Sequence, residues 1–247
     1  NVMRWEMRPR LFLRTAEFNW QEGHNVFATH DEANEDARKM HKMYAEYMAN
    51  VLAIPVIMGE KTPEERFAGA DHTYTVEQIM QDGKALQAGT SHDLGQHFAK
   101  SFGIQYLGTD GKLTHGWTTS WGTSTRMMGG LFMTHSDDDG LILPPIVAPY
   151  QIVVIPITRE ENEKELNACA NKLAEQLRTK GIRVLVDDTD ARAPDKMWKW
   201  IKRGVPLRVE IGAREMESGD VTITRRDIGR ESKRTIAVDE LVASVND

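Results

Sequence analysis

IVVIPITREENEKELNACANKLAEQLRTKGIRVLV, residues 152–186, holds two short apolar runs with one amphipathic stretch between them. IVVIPI has strand length and no polar alternation, the pattern of a strand covered on both faces, as parallel sheets require. In the middle stretch Leu166, Ala170, Leu173 and Leu177 recur at spacings of four and three, which puts them on one face of a helix. Thr158 with Glu161 three residues later has the form of a capping box to start that helix, and Gly181 suits its end. IRVLV is then a second buried strand. Strand, helix and strand in this order form a βαβ unit around a parallel pair, and the predicted fold class is α/β.

Working outward toward the C-terminus, DKMWKWIKR (195–203) is a short helix closed by Gly204, PLRVEI (206–211) is a strand, and VTITR (221–225) its hairpin partner. Residues 192–208 carry Arg192, Lys196, Lys199, Lys202, Arg203 and Arg208 against Asp195. Trp198 and Trp200, two apart on a helix, cannot share a face, so one belongs to the core and the other is partly exposed. A solvated charged face and an RNA-facing patch with an available aromatic both fit this stretch. Cys169 lies on the helix of the βαβ unit and reads as inert packing.

Toward the N-terminus the texture changes near residue 149, after PPIVAPY, and the expected domains are 1–149 and 150–247. Residues 2–29 read as two strands joined by a loop at Pro9. In 29–53, Ala33, Ala37, Met40, Tyr44, Tyr47 and Val51 form an apolar helical stripe, with Thr29 and Glu32 as its capping box. Residues 63–82 have turn chemistry and a polar pattern. GKALQAGTSHDLGQHFAKSFGIQYL (83–107) gives a strand, a turn, a short helix and a strand, and SWGTSTRMMGGLFMTH (120–135) a polar turn leading into a buried helix.

The 247 residues are 40% hydrophobic, enough for a packed core, with no apolar stretch near the roughly 20 residues of a membrane span. The N-terminus has no apolar secretory segment, and a cytoplasmic protein is expected. A net charge of −6 argues against indiscriminate coating of nucleic acid. With Cys169 its one cysteine, the chain can form neither an internal disulfide nor a Cys-based zinc site, and no zinc is expected.

Three clusters carry candidate chemistry. Arg4 and Glu6 share a strand face, as do Phe18, Trp20, Glu22 and His24. Two aromatics, a carboxylate and an imidazole on one face suit a small cationic or heterocyclic ligand, and suit equally a solvent-facing sheet with cross-strand ion pairs. Gln87, Thr90 and His92 follow; His92 and His97, five apart, lack helical metal-ligand spacing. Arg126, at the entrance to a buried helix, needs an anion. The aspartates at 137–139, solvent reached by snorkelling, and a bound phosphate are its three options.

Taken in order, these segments resemble the prolyl-tRNA synthetases of the archaeal and eukaryotic type, a family of class II aminoacyl-tRNA synthetases. RWE followed by Arg14, Phe18 and Glu22 in the pattern R-x-x-x-F-x-x-x-E resembles class II motif 2. QEGH, FAGAD, QAGTSHDLGQ, SWGTSTR and GLILPP resemble the family's catalytic signatures, with STR in motif 3, and the basic helix ending in RGVPLRVEIG resembles its anticodon-binding domain. The resemblance implies an antiparallel catalytic sheet with flanking helices, partial, at 1–149, and a βαβ-type mixed sheet at 150–247. It implies proline–tRNA ligase activity through prolyl-adenylate, with Arg4 and Arg126 as catalytic residues.

Carried over by position, Arg4, Glu6, Arg14, Thr15, Phe18, Gln87, Thr90, Ser124 and Arg126 would bind ATP, Gln87 through magnesium. Arg4, Trp20, Glu22, His24, Phe67 and His92 would bind proline. Lys196, Trp200 and Arg203 would meet the anticodon of tRNA(Pro), and the complete protein would be a homodimer. The likeness begins at motif 2. Motif 1, the Thr-x-Glu element and a C-terminal zinc-like domain have no counterpart in these residues, and Ile201 occupies a position that is often acidic. The 247 residues by themselves are therefore expected to be catalytically crippled, and a non-catalytic RNA-binding or regulatory module is the rival expectation.

Overall fold

The computed structural model describes residues 1–244; residues 245–247 of the expected second domain lie outside the described residues. The chain divides into two compact units, Asn1–Thr134 and His135–Asp247.

The first unit begins with a short antiparallel ribbon of β1 (Val2–Met3) and β2 (Glu17–Phe18). It continues through β3 (Trp20–Phe27), α1 (His30–Asn50), β4 (Val56–Glu60), β5 (His72–Ile79), β6 (Ala85–Asp93), α2 (His97–Phe102), β7 (Gln105–Leu107), β8 (Leu113–His115), β9 (Trp117–Ser124) and α3 (Arg126–His135). Its main sheet has the order β3-β9-β6-β5-β4, antiparallel throughout.

The helix α1 packs on this sheet. Its capping box at Thr29 and Glu32 is present, and Ala33, Ala37, Met40, Tyr44 and Met48 are buried. The Ser91 hydroxyl donates to the Ala37 carbonyl at 2.7 Å, and Tyr44 to Gln21 Oε1 at 2.8 Å, tying helix to sheet. Tyr47, expected in the stripe, is 42% exposed and Met48 takes its place. Neighbouring positions on a helix edge compete for the interior, and the flexible thioether enters without needing a partner for a hydroxyl.

Residues 117–124 are a strand inside the sheet, where the sequence suggests a turn for 120–125. Their polarity is accommodated by specific partners: Thr119 donates to Asp36 Oδ2 at 2.7 Å, and Thr123 to the Ala88 carbonyl at 2.8 Å. The glycines of α3 serve close packing. A Cβ on Gly130 would lie 1.7 Å from Gln78 Oε1 and one on Gly129 2.7 Å from Leu13 Cδ2. Within 63–82, expected to be turn-like, β5 forms as a strand covered on both faces, with Tyr74 and Val76 buried on one and Thr73 and Thr75 on the other.

The second unit holds β10 (Ile152–Pro156), α4 (Glu163–Thr179), β11 (Val184–Val186), α5 (Ala193–Lys202), β12 (Leu207–Ile211), α6 (Ala213–Ser218), β13 (Asp220–Arg225), β14 (Arg234–Ala237) and α7 (Val238–Ser244). The sheet order is β11-β10-β12-β13-β14, with β10 parallel to both neighbours and the last two pairings antiparallel. On one face Leu166, Ala170, Leu173 and Leu177 of α4 pack against Ile152, Val154, Val209 and Val221; on the other, Val153 and Ile155 meet Trp200 and Val205. That two-sided burial is why β10 is apolar without alternation.

The expected cap at Thr158 is not formed. α4 begins at Glu163 after Asn162, because Ile157 still donates to the Ile211 carbonyl at 2.8 Å and carries strand pairing past β10. The turn that follows is closed by Arg159 N–H donating to Asn162 Oδ1 at 2.8 Å. Gly181 ends the helical segment in the left-handed region, at φ +81°. Among the described residues no helix is long and apolar enough to cross a membrane.

Candidate functional site

The β1–β2 ribbon sets the first cations. Arg4 N–H donates to the Ala16 carbonyl at 2.8 Å and its Nε to the Thr15 carbonyl at 3.2 Å, which holds the guanidinium 5.0 Å from the Phe18 ring centroid. Thr15 thus enters through its backbone. Arg14 Nε pairs with Glu6 Oε2 at 2.5 Å. The Arg8 backbone N–H bonded to Glu6, together with Arg14 and Arg4, holds that carboxyl below the usual range, against some desolvation.

Arg126 follows β9 directly. Its Nε donates to the Leu13 carbonyl at 2.8 Å and its Nη1 to the Gln87 carbonyl at 3.4 Å, while its own N–H meets Ser124 Oγ at 3.3 Å. Asp137, the structural partner the sequence offers it, is instead gripped by both terminal nitrogens of Arg226, at 2.8 and 2.5 Å. Burial lowers the Arg126 pKa, and the positive charges of Arg4 and Arg14 lower it further, opposed by Glu77. Three guanidinium groups separated in sequence therefore share one electrostatic neighbourhood. Such crowding is unfavourable until an anion is bound.

The sheet extends this neighbourhood. Directly opposed residues of an antiparallel pair share a face. The register aligns Glu22, Gly122, Thr90 and Thr75 in one row and His24, Ser120, His92 and Thr73 in the next, with Trp20 opposite Ser124. Gly122 leaves its row open: a Cβ there would approach the Gln21 carbonyl to 3.0 Å. Trp20 meets the Phe18 ring edge-on at 6.2 Å, and His24 Nε2 lies 3.3 Å from Glu22 Oε1. Phe67 stands 4.9 Å from the His92 ring, and Thr73 Oγ1 joins them, at 3.1 Å from Phe67 N and 3.0 Å from His92 Nδ1. Burial, then the nearby Lys61 charge, pushes the His92 pKa down to about 4, so the imidazole is neutral at pH 7. The result is a cation-lined end and an aromatic-walled slot on one sheet face.

In the second unit the basic helix divides by burial. Lys196 and Trp200 are interior: Lys196 Nζ donates to the Asp187 carbonyl at 3.0 Å, and Trp200 Nε1 to Asp187 Oδ2 at 2.6 Å. Arg203 lies over the Trp200 ring, 5.1 Å from its centroid. Trp198 is the exposed tryptophan, at 48%. It borders a hollow of about 570 Å³ whose walls include Ile201, Arg208, Arg226, Arg230 and Lys233. Sequence spacing separates the two tryptophans; which one turns inward depends on Asp187.

Comparison with known proteins now bears on these two surfaces. Residues 151–247 match the family model described as an anticodon binding domain. The proline–tRNA ligase of Akkermansia muciniphila is 54% identical over 254 residues, an alignment taking in 100% of this chain and 50% of that protein. That of Flavobacterium johnsoniae is 52% identical over 249 residues, again 100% of this chain and 50% of the relative. The solved prolyl-tRNA synthetase from Cryptosporidium parvum, complexed with L-proline and AMP, matches with a TM-score of 0.92 at 39% identity, covering 99% of this chain and 53% of that one. Over essentially its whole length the chain is similar to prolyl-tRNA synthetases. It spans about half the length of the curated relatives it matches.

Two features of this candidate site have no signal in sequence spacing. Lys61, in a polar loop, donates from Nζ to Gln87 Oε1 at 2.7 Å. Glu77, opposite Gln87 in the β5–β6 register, accepts from Thr75 at 2.8 Å and acts on Arg126. Ligand atoms of His30, Asp71 and Asp93 fall within 4.8 Å of one another, a grouping of metal-ligand type. Its members already bond to protein partners: His30 and Asn34 to Asp93 at 2.8 and 3.1 Å, and His97 to Asp71 at 3.1 Å. These bonds tie α1 to β6 and α2 to the FAGAD loop.

Proposed function

We propose that this chain supplies part of the catalytic domain (1–149) and the anticodon-binding domain (150–247) of a proline–tRNA ligase. The complete protein activates proline with ATP to prolyl-adenylate and transfers it to the 3′ end of tRNA(Pro). The observation that carries this reading is the gathering of Arg4, Arg14 and Arg126 beside Phe18, next to an aromatic slot lined by Trp20, Glu22, His24, Phe67 and His92.

Attack of the proline carboxylate on the α-phosphorus joins two anions, builds charge on the phosphoryl oxygens and breaks the α–β phosphoanhydride bond, releasing pyrophosphate. Cations fixed beforehand lower that barrier by electrostatics and alignment, with no protein nucleophile. Arg4 meets the α-phosphate and the proline carboxylate, Phe18 stacks on adenine, and Glu6, Arg14 and Thr15 hold the nucleotide with Gln87, Thr90, Ser124 and Arg126, the last on the phosphate end. The acidic and imidazole groups of the slot receive the imino nitrogen. Transfer of the prolyl group from the adenylate to the terminal ribose hydroxyl, with AMP as the leaving group, needs positioning of that hydroxyl more than a strong base.

Magnesium accompanying ATP would supply further charge neutralisation. A Gln87 ligand would have to use Oε1, which accepts from Lys61; the Glu77 carboxylate beside Arg126 is a hard oxygen donor that fits the ion better. On the second unit, Trp198 and the basic hollow suit unstacked anticodon bases, with Arg203 at the helix end and Lys196 and Trp200 shaping the surface from within. The archaeal and eukaryotic type is proposed as an architecture, since the curated relatives named above are bacterial proteins. A cytoplasmic homodimer is proposed for the complete protein.

The test is proline-dependent pyrophosphate exchange by the full-length protein. Arg4→Ala and Arg126→Ala should each lower it by about 10²-fold or more with the fold intact. Wild-type exchange in both variants overturns the assignment.

A further inference from the structure

Lys61 directly follows β4, and its N–H donates to the Thr73 carbonyl at 2.9 Å, extending the β4–β5 pairing by one residue. This sets Lys61 in line with Thr73, His92, Ser120 and His24, the row that floors the aromatic slot. From there its ammonium reaches Gln87 Oε1 at 2.7 Å. An ammonium only donates, so the atom facing it must be the amide oxygen, and Gln87 is left with its NH₂ group as the free end.

Glu60 and Glu77 are otherwise engaged, and Glu64 and Glu65 are exposed and form no salt bridge with Lys61. Glu60 binds His72 at 2.8 Å and Arg66 at 3.4 Å, and Glu77 accepts from Thr75 at 2.8 Å. Among the described residues Lys61 forms no salt bridge. A half-buried ammonium whose partner is a neutral amide keeps its full charge available to an anion. Its field acts on His92, on the amino-acid side, while its hydrogen bond is made to Gln87, on the nucleotide side.

We propose that Lys61 is a further binding residue of this site, its ammonium contacting the anionic junction where the amino-acid carboxylate meets the nucleotide α-phosphate, with Gln87 turned to donate its NH₂ to the same anion. The inference rests on the adenylate-forming reading above. It adds a fourth cation, carried at the β4 edge of the sheet, whereas Arg4 and Arg14 precede β3 and Arg126 comes after β9. Both side chains of the pair become donors toward the substrate. This accounts for a lysine–glutamine contact that would otherwise place a charge in a half-buried site for one neutral hydrogen bond.

The experiment uses the full-length protein with Lys61→Met and Lys61→Arg, measuring pyrophosphate exchange, melting temperature and binding of two probes, proline and prolinol. Lys61→Met keeps an unbranched chain only one atom shorter and removes the charge. Exchange efficiency should fall about 10²-fold in Lys61→Met and recover in part in Lys61→Arg, with melting unchanged. Proline binding should weaken about tenfold or more, whereas prolinol, which lacks the carboxylate, should bind Lys61→Met and wild type alike. Equal loss for both probes, or exchange within twofold of wild type in Lys61→Met, overturns the assignment of Lys61. Absence of exchange in the wild-type protein overturns the parent reading instead, so the two failures are distinguishable.

Discussion

Arg126 could be singled out from sequence alone because a guanidinium cannot discard its charge, so its presence at a helix entrance demands an explanation. The same holds for Arg4 and Arg14. Lys61 and Glu77 escape such reasoning because each sits in a polar segment where a charge needs no special partner until strand pairing brings it to the site. His92 is legible as a ligand-facing candidate, but its protonation state depends on burial and on Lys61. A folded pKa near 4, against about 6.5 unfolded, means the unfolded chain takes up the proton first as pH falls. This group therefore costs nothing above about pH 6.5, costs progressively more stability as pH falls to about 4, and keeps its full cost below that. An NMR titration should find the His92 imidazole neutral down to about pH 5; a midpoint at the ordinary value contradicts the burial argument. Asp187 is the opposite case. Burial raises its pKa, but hydrogen bonds from Thr189, Trp200 and Lys199 outweigh this and hold it at about 2. Its contribution is fully present above the unfolded carboxylate pKa and is lost as pH falls toward 2. Asp187→Ala should cost about 2–4 kcal/mol by leaving Trp200 Nε1 unsatisfied and freeing the lysine, as read by denaturant unfolding.

At the level of elements, α1, α4 and β10 are legible because their burial patterns are periodic or continuous. The central strand β9 is not, because WTTSWGTS satisfies its hydroxyls through Asp36 and backbone carbonyls that only the folded sheet supplies. The missed cap of α4 has a similar origin: strand pairing continued through Ile157, a tertiary event, shifts the helix start. Glycine in QEGH also has a purpose hidden from local reading. Gly23 and Trp121 are cross-strand partners, and a Cβ at Gly23 would lie 2.0–2.4 Å from three carbons of the indole. A rigid ring cannot yield as a flexible chain end does. Gly23→Ala should therefore destabilise the fold by about 1–3 kcal/mol, whereas Gly59→Ala in β4, with nothing within 4 Å, should stay within about 0.5 kcal/mol. Equal melting temperatures for the two variants would show that Trp121 repacks freely.

On the scale of the whole molecule, the parallel half of the fold is written in the sequence because strands covered twice are apolar throughout, while the antiparallel half hides its site-bearing face in polar residues. The change of texture at residue 149 and the division between compact units after Thr134 differ for a related reason. Residues 135–149 carry no periodic pattern, and their attachment comes from pairings such as Asp137 with Arg226 and Leu141 N–H with the Lys202 carbonyl at 3.0 Å. Charge has the same two-scale character. The chain is −6 overall, yet the candidate site gathers Arg4, Arg14, Arg126 and Lys61, and the second unit presents Arg208, Arg230 and Lys233 around one hollow. A net negative chain repels polyanions at long range, so the proposed binding of ATP and tRNA would have to draw on these local fields, which salt screens. Raising ionic strength from about 0.05 to 0.2 M should weaken ATP and tRNA binding markedly while leaving that of proline, a zwitterion, nearly unchanged. Calorimetric titration of the three ligands at both salt levels measures this. Salt-strengthened ATP binding would mean that long-range repulsion by the body of the protein outweighs the clustered cations, and would remove the electrostatic basis of the proposed reaction.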